Sequence, residues 1–340
     1  MKKYYKYIFT IALSLILFPG CRQELVYEDV IDNPYRMNMD LEWEMEWEVN
    51  SDYNWADNWD DLGADNDYDY FRPRKPEGVA VILYNELNGN YVFSKELHLP
   101  SSGGSFSIEP TTRAILFFND DSDYVTVNNL GSPNTVIAST GNHTNTSFTD
   151  LHKGERNVKQ PDILYGAFIE VTEEQILNGE LPDKVVISPL AYGYVIKYHI
   201  EKNLEYVKEA TGALAGMAET VNIMTGNTSD SKATFVFECE KTSYGIGVQV
   251  MTFGIPSSEG YKPKARSDYS GQHDLRLIVK LTNGKTLTLD HDVTDQIATQ
   301  PKGGVITISD INIPDDMVGG NSGFQPDVDD WGDNTDIPLN

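Results

Sequence analysis

The stretch Met37-Asn-Met-Asp-Leu-Glu-Trp-Glu-Met-Glu-Trp-Glu-Val49 decides the fold class. Met37, Met39, Leu41, Trp43, Met45, Trp47 and Val49 alternate without a break with Asn38, Asp40, Glu42, Glu44, Glu46 and Glu48. Successive side chains of a strand point to opposite faces, whereas a helix repeats every ~3.6 residues, so the pattern predicts a half-buried strand and excludes a helix. A strand over 37–49 would span about 43 Å at ~3.3 Å per residue, longer than usual, and is expected to bend or to cross between sheets. Its glutamates repel other acidic chains and would protect an exposed edge from aggregation.

Towards the carboxyl end, Asp52–Tyr70 is rich in Asp, Asn and Trp. The loop Phe71-Arg-Pro-Arg-Lys-Pro-Glu-Gly78 follows, in which Pro73 and Pro76 forbid a ladder. Strand-like runs resume at 79–84, 91–99, 105–108, 114–118, 135–139 and 165–171, separated by turn chemistry such as Asn88-Gly89-Asn90 and Ser101-Ser-Gly-Gly104. A composition break at Asn178-Gly-Glu-Leu-Pro-Asp183 is the expected boundary between an amino-terminal β-sandwich domain (21–178) and a carboxyl-terminal one (179–318), with an acidic tail at 319–340. In the second half, 184–187, 194–200, 233–239, 244–253 and 305–308 read as strands. Asp274–Leu281 and Thr286–Asp290 flank the hairpin dipeptide Asn283-Gly284. Asn203–Met217 reads as a helix with Asn203 as its cap, weakened by Gly212 and Gly216, and a short helix is expected over 293–298. Many short strands with frequent turns and one or two short helices define a mainly all-β fold of sandwich type.

Towards the amino end, Lys2, Lys3 and Lys6 precede the uncharged run Ile8–Phe18, and Pro19-Gly20-Cys21 follows. Such a run is too short to span a ~30 Å hydrocarbon core, so residues 1–20 read as a signal peptide. Gly20-Cys21 reads as a lipoprotein cleavage site, which would leave Cys21 as the lipid-bearing residue and the body tethered outside the cytoplasm. The chain carries 26 basic and 52 acidic residues, a net charge of -26 that argues against nucleic acid or an anionic lipid surface as partner. The charge is concentrated at the ends, with sixteen acidic residues against one basic over Glu24–Tyr70 and eight against none over Asp310–Asn340. With Cys21 committed to lipid, Cys239 has no disulfide partner, and its alternation with Phe235 and Phe237 predicts a buried, inert thiol.

No catalytic constellation emerges. Histidines 98, 143, 152, 199, 273 and 291 lack the close spacing of a metal site on one element and read as surface or packing residues. A Gly-x-Ser-x-Gly elbow is absent, and the acidic runs 65–69 and 327–333 depart from the helical calcium-loop pattern. These features predict no cofactor, no metal and no enzymatic activity. Trp43 and Trp47 belong to the apolar face of the first strand and are expected in the core. Trp55 and Trp59, in the acidic loop, are candidate surface contacts for a sugar or a protein.

The lipidation site, the acidic first strand Leu41-Glu-Trp-Glu-Met-Glu-Trp-Glu48, the segment Thr211-Gly-Ala-Leu-Ala-Gly-Met-Ala218, the hairpin Leu281-Thr-Asn-Gly-Lys285 leading to Asp292-Val-Thr-Asp-Gln296, and the tail from Gly323 together resemble the fimbrillin-like lipoproteins of Bacteroidales, in a branch of unassigned function. The resemblance implies two transthyretin-like Greek-key β-sandwich domains, a palmitate-type lipid anchor in the outer membrane, and a structural or accessory place in type V fimbriae that mediate adhesion, with other fimbrial subunits as partners. It also implies strand exchange: an arginine-specific protease cuts the loop after the first strand, and a strand from another subunit fills the vacated groove. Here the matching loop holds Arg72, Arg74 and Lys75. Arg72-Pro73 should resist a trypsin-like cut, which makes Arg74-Lys75 the candidate processing bond; the alternative is a loop that only balances nearby carboxylates. Val305–Ile313 is the candidate donor segment, with a one-residue slip in its alternation. The rival expectation is a monomeric surface lipoprotein that binds a host, glycan or protein ligand.

Overall fold

The computed structural model describes residues 35–45, 72–144, 152, 154–256 and 272–319. Its strands are β1 (Arg36–Trp43), β2 (Gly78–Leu87), β3 (Asn90–Pro100), β4 (Gly103–Ser107), β5 (Thr112–Asn119), β6 (Val125–Asn128), β7 (Ile137–Thr140), β8 (Asn142–Thr144), β9 (Arg156–Val158) and β10 (Tyr165–Glu170). The helix α1 (Glu173–Asn178) comes next, followed by β11 (Lys184–Pro189), β12 (Tyr192–Lys202), β13 (Val207–Ala218), β14 (Thr220–Asn222), β15 (Lys232–Lys241) and β16 (Gly245–Thr252). The described part closes with β17 (Asp274–Leu281), β18 (Thr286–Asp292), α2 (Thr294–Ala298), β19 (Gly304–Asn312) and α3 (Asp315–Val318). The all-β class read from the sequence is therefore what the protein adopts.

A seven-stranded sheet runs in the order β3-β2-β5-β10-β11-β1-β4. A nine-stranded sheet runs β18-β17-β13-β15-β16-β12-β19, with β9 against β15 and β8 against β9. The third sheet, β14-β7-β6, joins residues from both halves of the sequence. β11 lies past the composition break at 178–183, yet it pairs with β10 and β1 in the first sheet.

Two inner strands of the first sheet, β2 and β5, carry long apolar runs because both of their faces are covered. Val79, Val81, Leu83, Ile115 and Phe117 join Met37, Met39, Leu41, Trp43, Val185 and Ile187 in one core. Ala80, Ile82, Tyr84, Leu116 and Phe118 on the opposite face join Val136, Ala138 and Val221 of the small sheet and the interior of the nine-stranded sheet in a second core. Gly166 of β10 makes this close approach feasible, since a Cβ there would lie 2.6 Å from a Leu190 methyl and 2.8 Å from one of Ile223.

Three sequence expectations need correction. Residues 204–206 form a single 3-10 turn, and 207–218 are β13, not a helix. Asn203 is left-handed (φ 67) and makes no side-chain cap, and β13 gains ladders on both edges from β15 and β17. Gly212 sits under the Phe237 ring, where a Cβ would lie 2.2 Å from Cε2, so long-range pairing overrides the local 3.6-residue pattern. β1 ends at Trp43, although the Glu44 N–H still donates to the Ile187 carbonyl at 3.0 Å; residues 46–49 lie outside the described part. The Val305–Ile313 segment is built into the chain's own sheet as β19, parallel to β12, and its slip is a bulge at Asp310 (φ 62).

Candidate functional site

β1 is an internal strand. It runs parallel to β11, with Asp40 opposite Lys184 and Trp43 opposite Ile187, and antiparallel to β4, with Arg36 opposite Ser107 and Asp40 opposite Gly103. Met37, Met39, Leu41 and Trp43 point into the core at 1, 2, 8 and 7 % exposure, while Arg36, Asn38, Asp40 and Glu42 face out. Outside, Lys184 pairs with Glu42 and the Ser105 hydroxyl bonds Asn38. Inside, the Trp43 indole Nε1 donates to the Ser101 carbonyl at 2.6 Å, and its ring meets Tyr165 edge-on at 5.2 Å. Gly103 is left-handed (φ 89), and a Cβ there would stand 2.1 Å from the Met39 carbonyl oxygen, so only glycine lets β4 approach so closely. Removing β1 would leave a slot between β11 and β4 with unpaired backbone on both walls and an apolar floor.

The connection from β1 to β2 leaves and returns at the same place. The Tyr165 hydroxyl donates to the Met45 Sδ at 3.8 Å, and Arg72, Pro73 and Arg74 line a cavity of about 370 Å³ together with Tyr165, Ile163, Ala191 and Met251. Asp123 and Asp162 also line it, and the Asp162 carboxylate is already engaged by the Asp123 N–H at 2.8 Å and the Ser122 hydroxyl. Arg74 and Lys75 are both exposed, between the buried rings of Pro73 and Pro76. Beyond them the Glu77 N–H donates to Asp121 at 3.0 Å, and its carbonyl accepts from Ser101 N at 3.1 Å. The candidate processing bond thus sits on a loop pinned at both sides, and a protease would have to lift Pro73 and Pro76 from their contacts to draw it into its cleft. Cys21, Trp55 and Trp59 lie outside the described residues.

Cys239 is partly buried on β15, and burial pushes its thiol up to about 12, which suits an inert role. A buried polar cluster that no spacing in the sequence announces joins His152 to Glu155 at 2.6 Å through Nδ1 and to Asp274 at 2.8 Å through Nε2. The second Glu155 oxygen accepts from Gly216 N at 3.0 Å and from the Thr234 hydroxyl at 3.1 Å. His152 and Glu155 are three residues apart, but their other partners lie about sixty to over a hundred residues away, so only the folded chain completes the cluster.

Among the described residues the geometry is that of a β-built body whose first strand is internal and held by ladders on both edges. The chain belongs to the family described as Domain of unknown function (DUF5119), whose sequence profile matches residues 64–238. It is 24% identical over 304 residues to a Bacteroides ovatus protein named "Putative fimbrium anchoring subunit Fim4B", an alignment covering 81% of this chain and 88% of that one. The crystal structure of a "putative adhesin" from the same species superposes with a TM-score of 0.51 at 20% identity, covering 82% of this chain and 94% of the other, and so shares the fold. The fimbrial anchor protein Mfa2 from Porphyromonas gingivalis aligns over 80% of this chain and 90% of its own, with a TM-score of 0.39 and 8% identity.

Proposed function

We propose that the chain is a lipoprotein subunit of a cell-surface fimbria, held in the outer membrane through Cys21 and serving in an accessory, anchoring position. The observation that carries this reading is the double ladder of β1. Only fourteen residues separate Cys21 from Arg36, a tether of at most about 50 Å. A lipid on Cys21 would therefore be tied to a strand locked between β11 and β4, so tension on the anchor would shear two ladders and not peel one. The named relative, matched along most of both chains, supports a fimbrial place and an anchoring one.

Strand exchange through the β1 slot is the second reading. The β1 slot is shaped for an alternating apolar strand, and a neighbouring subunit's strand could occupy it only after a cut at Arg74-Lys75 and departure of β1. Anchoring and loss of β1 exclude one another, because β1 carries the tether. An anchor keeps β1; a polymerising subunit gives it up.

The test is the Cys21→Ala chain expressed in the native cell. The expected result is loss of labelled-palmitate incorporation, departure of the protein from the outer-membrane fraction, and fimbriae shed into the medium. Unchanged fractionation together with cell-attached fimbriae would overturn the reading.

A further inference from the structure

We propose that Gln296 and Gln300 form a side-chain plug on the outer edge of β19 that keeps this edge from pairing with the same edge of a second copy of the chain. β19 is the last strand of the nine-stranded sheet, with β12 on its inner side in the register Val195 to Val305 and Lys197 to Thr307. Alternate residues of a strand aim their backbone groups at opposite neighbours, so Val305 and Thr307 present theirs outward.

Each of these outward pairs is met by one glutamine amide. The Val305 N–H donates to Gln300 Oε1 at 2.7 Å, and Gln300 Nε2 donates to the Val305 carbonyl at 3.0 Å. The Thr307 N–H donates to Gln296 Oε1 at 2.9 Å, and Gln296 Nε2 donates to the Thr307 carbonyl at 3.1 Å. A primary amide carries the same donor and acceptor as a peptide group, so the two side chains reproduce the face of a neighbouring strand. Gln296 lies on α2 and Gln300 two residues past its end, and together they meet two outward positions about 6.6 Å apart along the strand.

The plug is built into the fold at several points. The buried Ile297 holds α2 against the core. Gln300 Nε2 also reaches the Gln296 carbonyl at 3.2 Å, and the Tyr194 hydroxyl donates to the Gln300 carbonyl at 2.7 Å. Gly304 makes the necessary room, since a Cβ there would stand 2.0 Å from Gln300 Oε1. What the plug covers is the uncharged, β-branched run Val305-Ile-Thr-Ile308, whose exposed edge would pair with its own copy across a two-fold axis. This inference does not depend on the fimbrial reading.

The experiment compares the purified mature chain with its Gln296→Ala/Gln300→Ala variant by sedimentation velocity over a concentration series, and by amide hydrogen exchange at Val305 and Thr307. The parent is expected to show protection at both amides and no association through β19. The variant is expected to exchange about fivefold faster at both amides while monomeric, the size of effect that loss of a hydrogen bond worth ~1 kcal/mol gives. It should then form a concentration-dependent dimer in which that protection returns. A folded variant that stays monomeric overturns the proposal, and so does a parent already dimeric through this edge. If the double variant fails to fold, Gln296→Ala alone removes the amide on Thr307 and leaves Gln300 in place. Faster exchange at Thr307 with dimerisation then supports the proposal, and a folded monomer overturns it.

Discussion

Trp43 shows how one residue ties the first strand to the body. Its ring is buried against Tyr165, and its Nε1–H answers a carbonyl of the β3–β4 turn, so it contributes both packing and a long-range hydrogen bond. Trp43→Ala is expected to lower unfolding free energy by about 3–5 kcal/mol. Trp43→Phe, which keeps most of the apolar volume and loses the donor, should cost nearer to 1 kcal/mol. Urea titrations of the two variants separate the contributions; equal losses would show that the hydrogen bond dominates and that the packing argument is wrong. Gly103→Ala should be at least as damaging as many core truncations, because its Cβ meets the Met39 backbone and not a side chain that can move aside. The alternation around Trp43 was legible in the sequence, since period two is a local property. The need for glycine at 103 was not, because it arises from a strand more than fifty residues away.

At the scale of elements, the cluster around His152 fastens the segment before β9 to β13, β15 and β17, and it makes stability depend on pH in two opposed ways. Burial lowers the His152 pKa, but its hydrogen bonds to Glu155 and Asp274 and their charges outweigh burial, so the net shift is upward from 6.5. A raised folded pKa gives stability that is complete below the unfolded value and is lost as pH climbs through the folded one. His273 behaves in reverse: burial, with a smaller contribution from Lys232, pulls it down to about 4 against the backbone bond at Ala215 and the Glu155 charge. The unfolded chain then binds the extra proton between pH ~6.5 and ~4, so stability falls as pH drops through that window. Burial raises Glu155, yet its bonds to His152 and Gly216 win and lower it, which adds to the acid-side loss below about pH 4.5. The expected profile of thermal midpoint against pH peaks near 6–6.5. His152→Gln should flatten its alkaline limb and His273→Asn its acid limb, and a parent profile that stays flat from pH 5 to 8 would refute the assignment.

The same elements mark the limit of sequence reading. Strands with clean alternation or continuous apolar runs, such as β2, β5 and β17, were readable because their burial is written into neighbouring residues. β13 reads as a helix in sequence because its Gly- and Ala-rich run carries little period-two alternation, and its identity is set by β15 and β17 on either side. β6 and β14 are too short to carry a period, whereas the α1 capping box between Thr172 and Gln175 stands in plain sequence. The two glutamines on β19 could not have been found, since their meaning lies in backbone partners that only the folded edge supplies.

For the molecule as a whole, the question is whether β1 behaves as a fixed part or as a removable one. Once Arg74-Lys75 is cut, the main described contacts that hold β1 are its two ladders and four buried side chains, with Met45 and Pro73 adding contacts nearer the cut. Those side chains contribute roughly 1.5–3 kcal/mol each, on the order of 6–12 kcal/mol together. The opposing gain in translational and rotational freedom on release is about 4–15 kcal/mol at the 1 M standard state, and it favours release more as the protein is diluted. The two ranges overlap, so the ladders and the seal of Trp43 against Tyr165 set the balance. Because that seal and the β4 ladder must break together before the strand can move, we expect release to be slow even where it is downhill. Native size-exclusion chromatography of the chain treated with an arginine-specific protease should show the fragment ending at Arg74 co-eluting with the body. Dissociation should begin only in denaturant, or when a synthetic peptide of the Arg36–Trp43 sequence competes for the slot. Retention fits an anchor, whose tether must survive maturation. Prompt loss of the fragment in buffer alone, with a body that then captures the peptide, would show a subunit made to trade its first strand and would move the protein from the base of a fibre to its shaft.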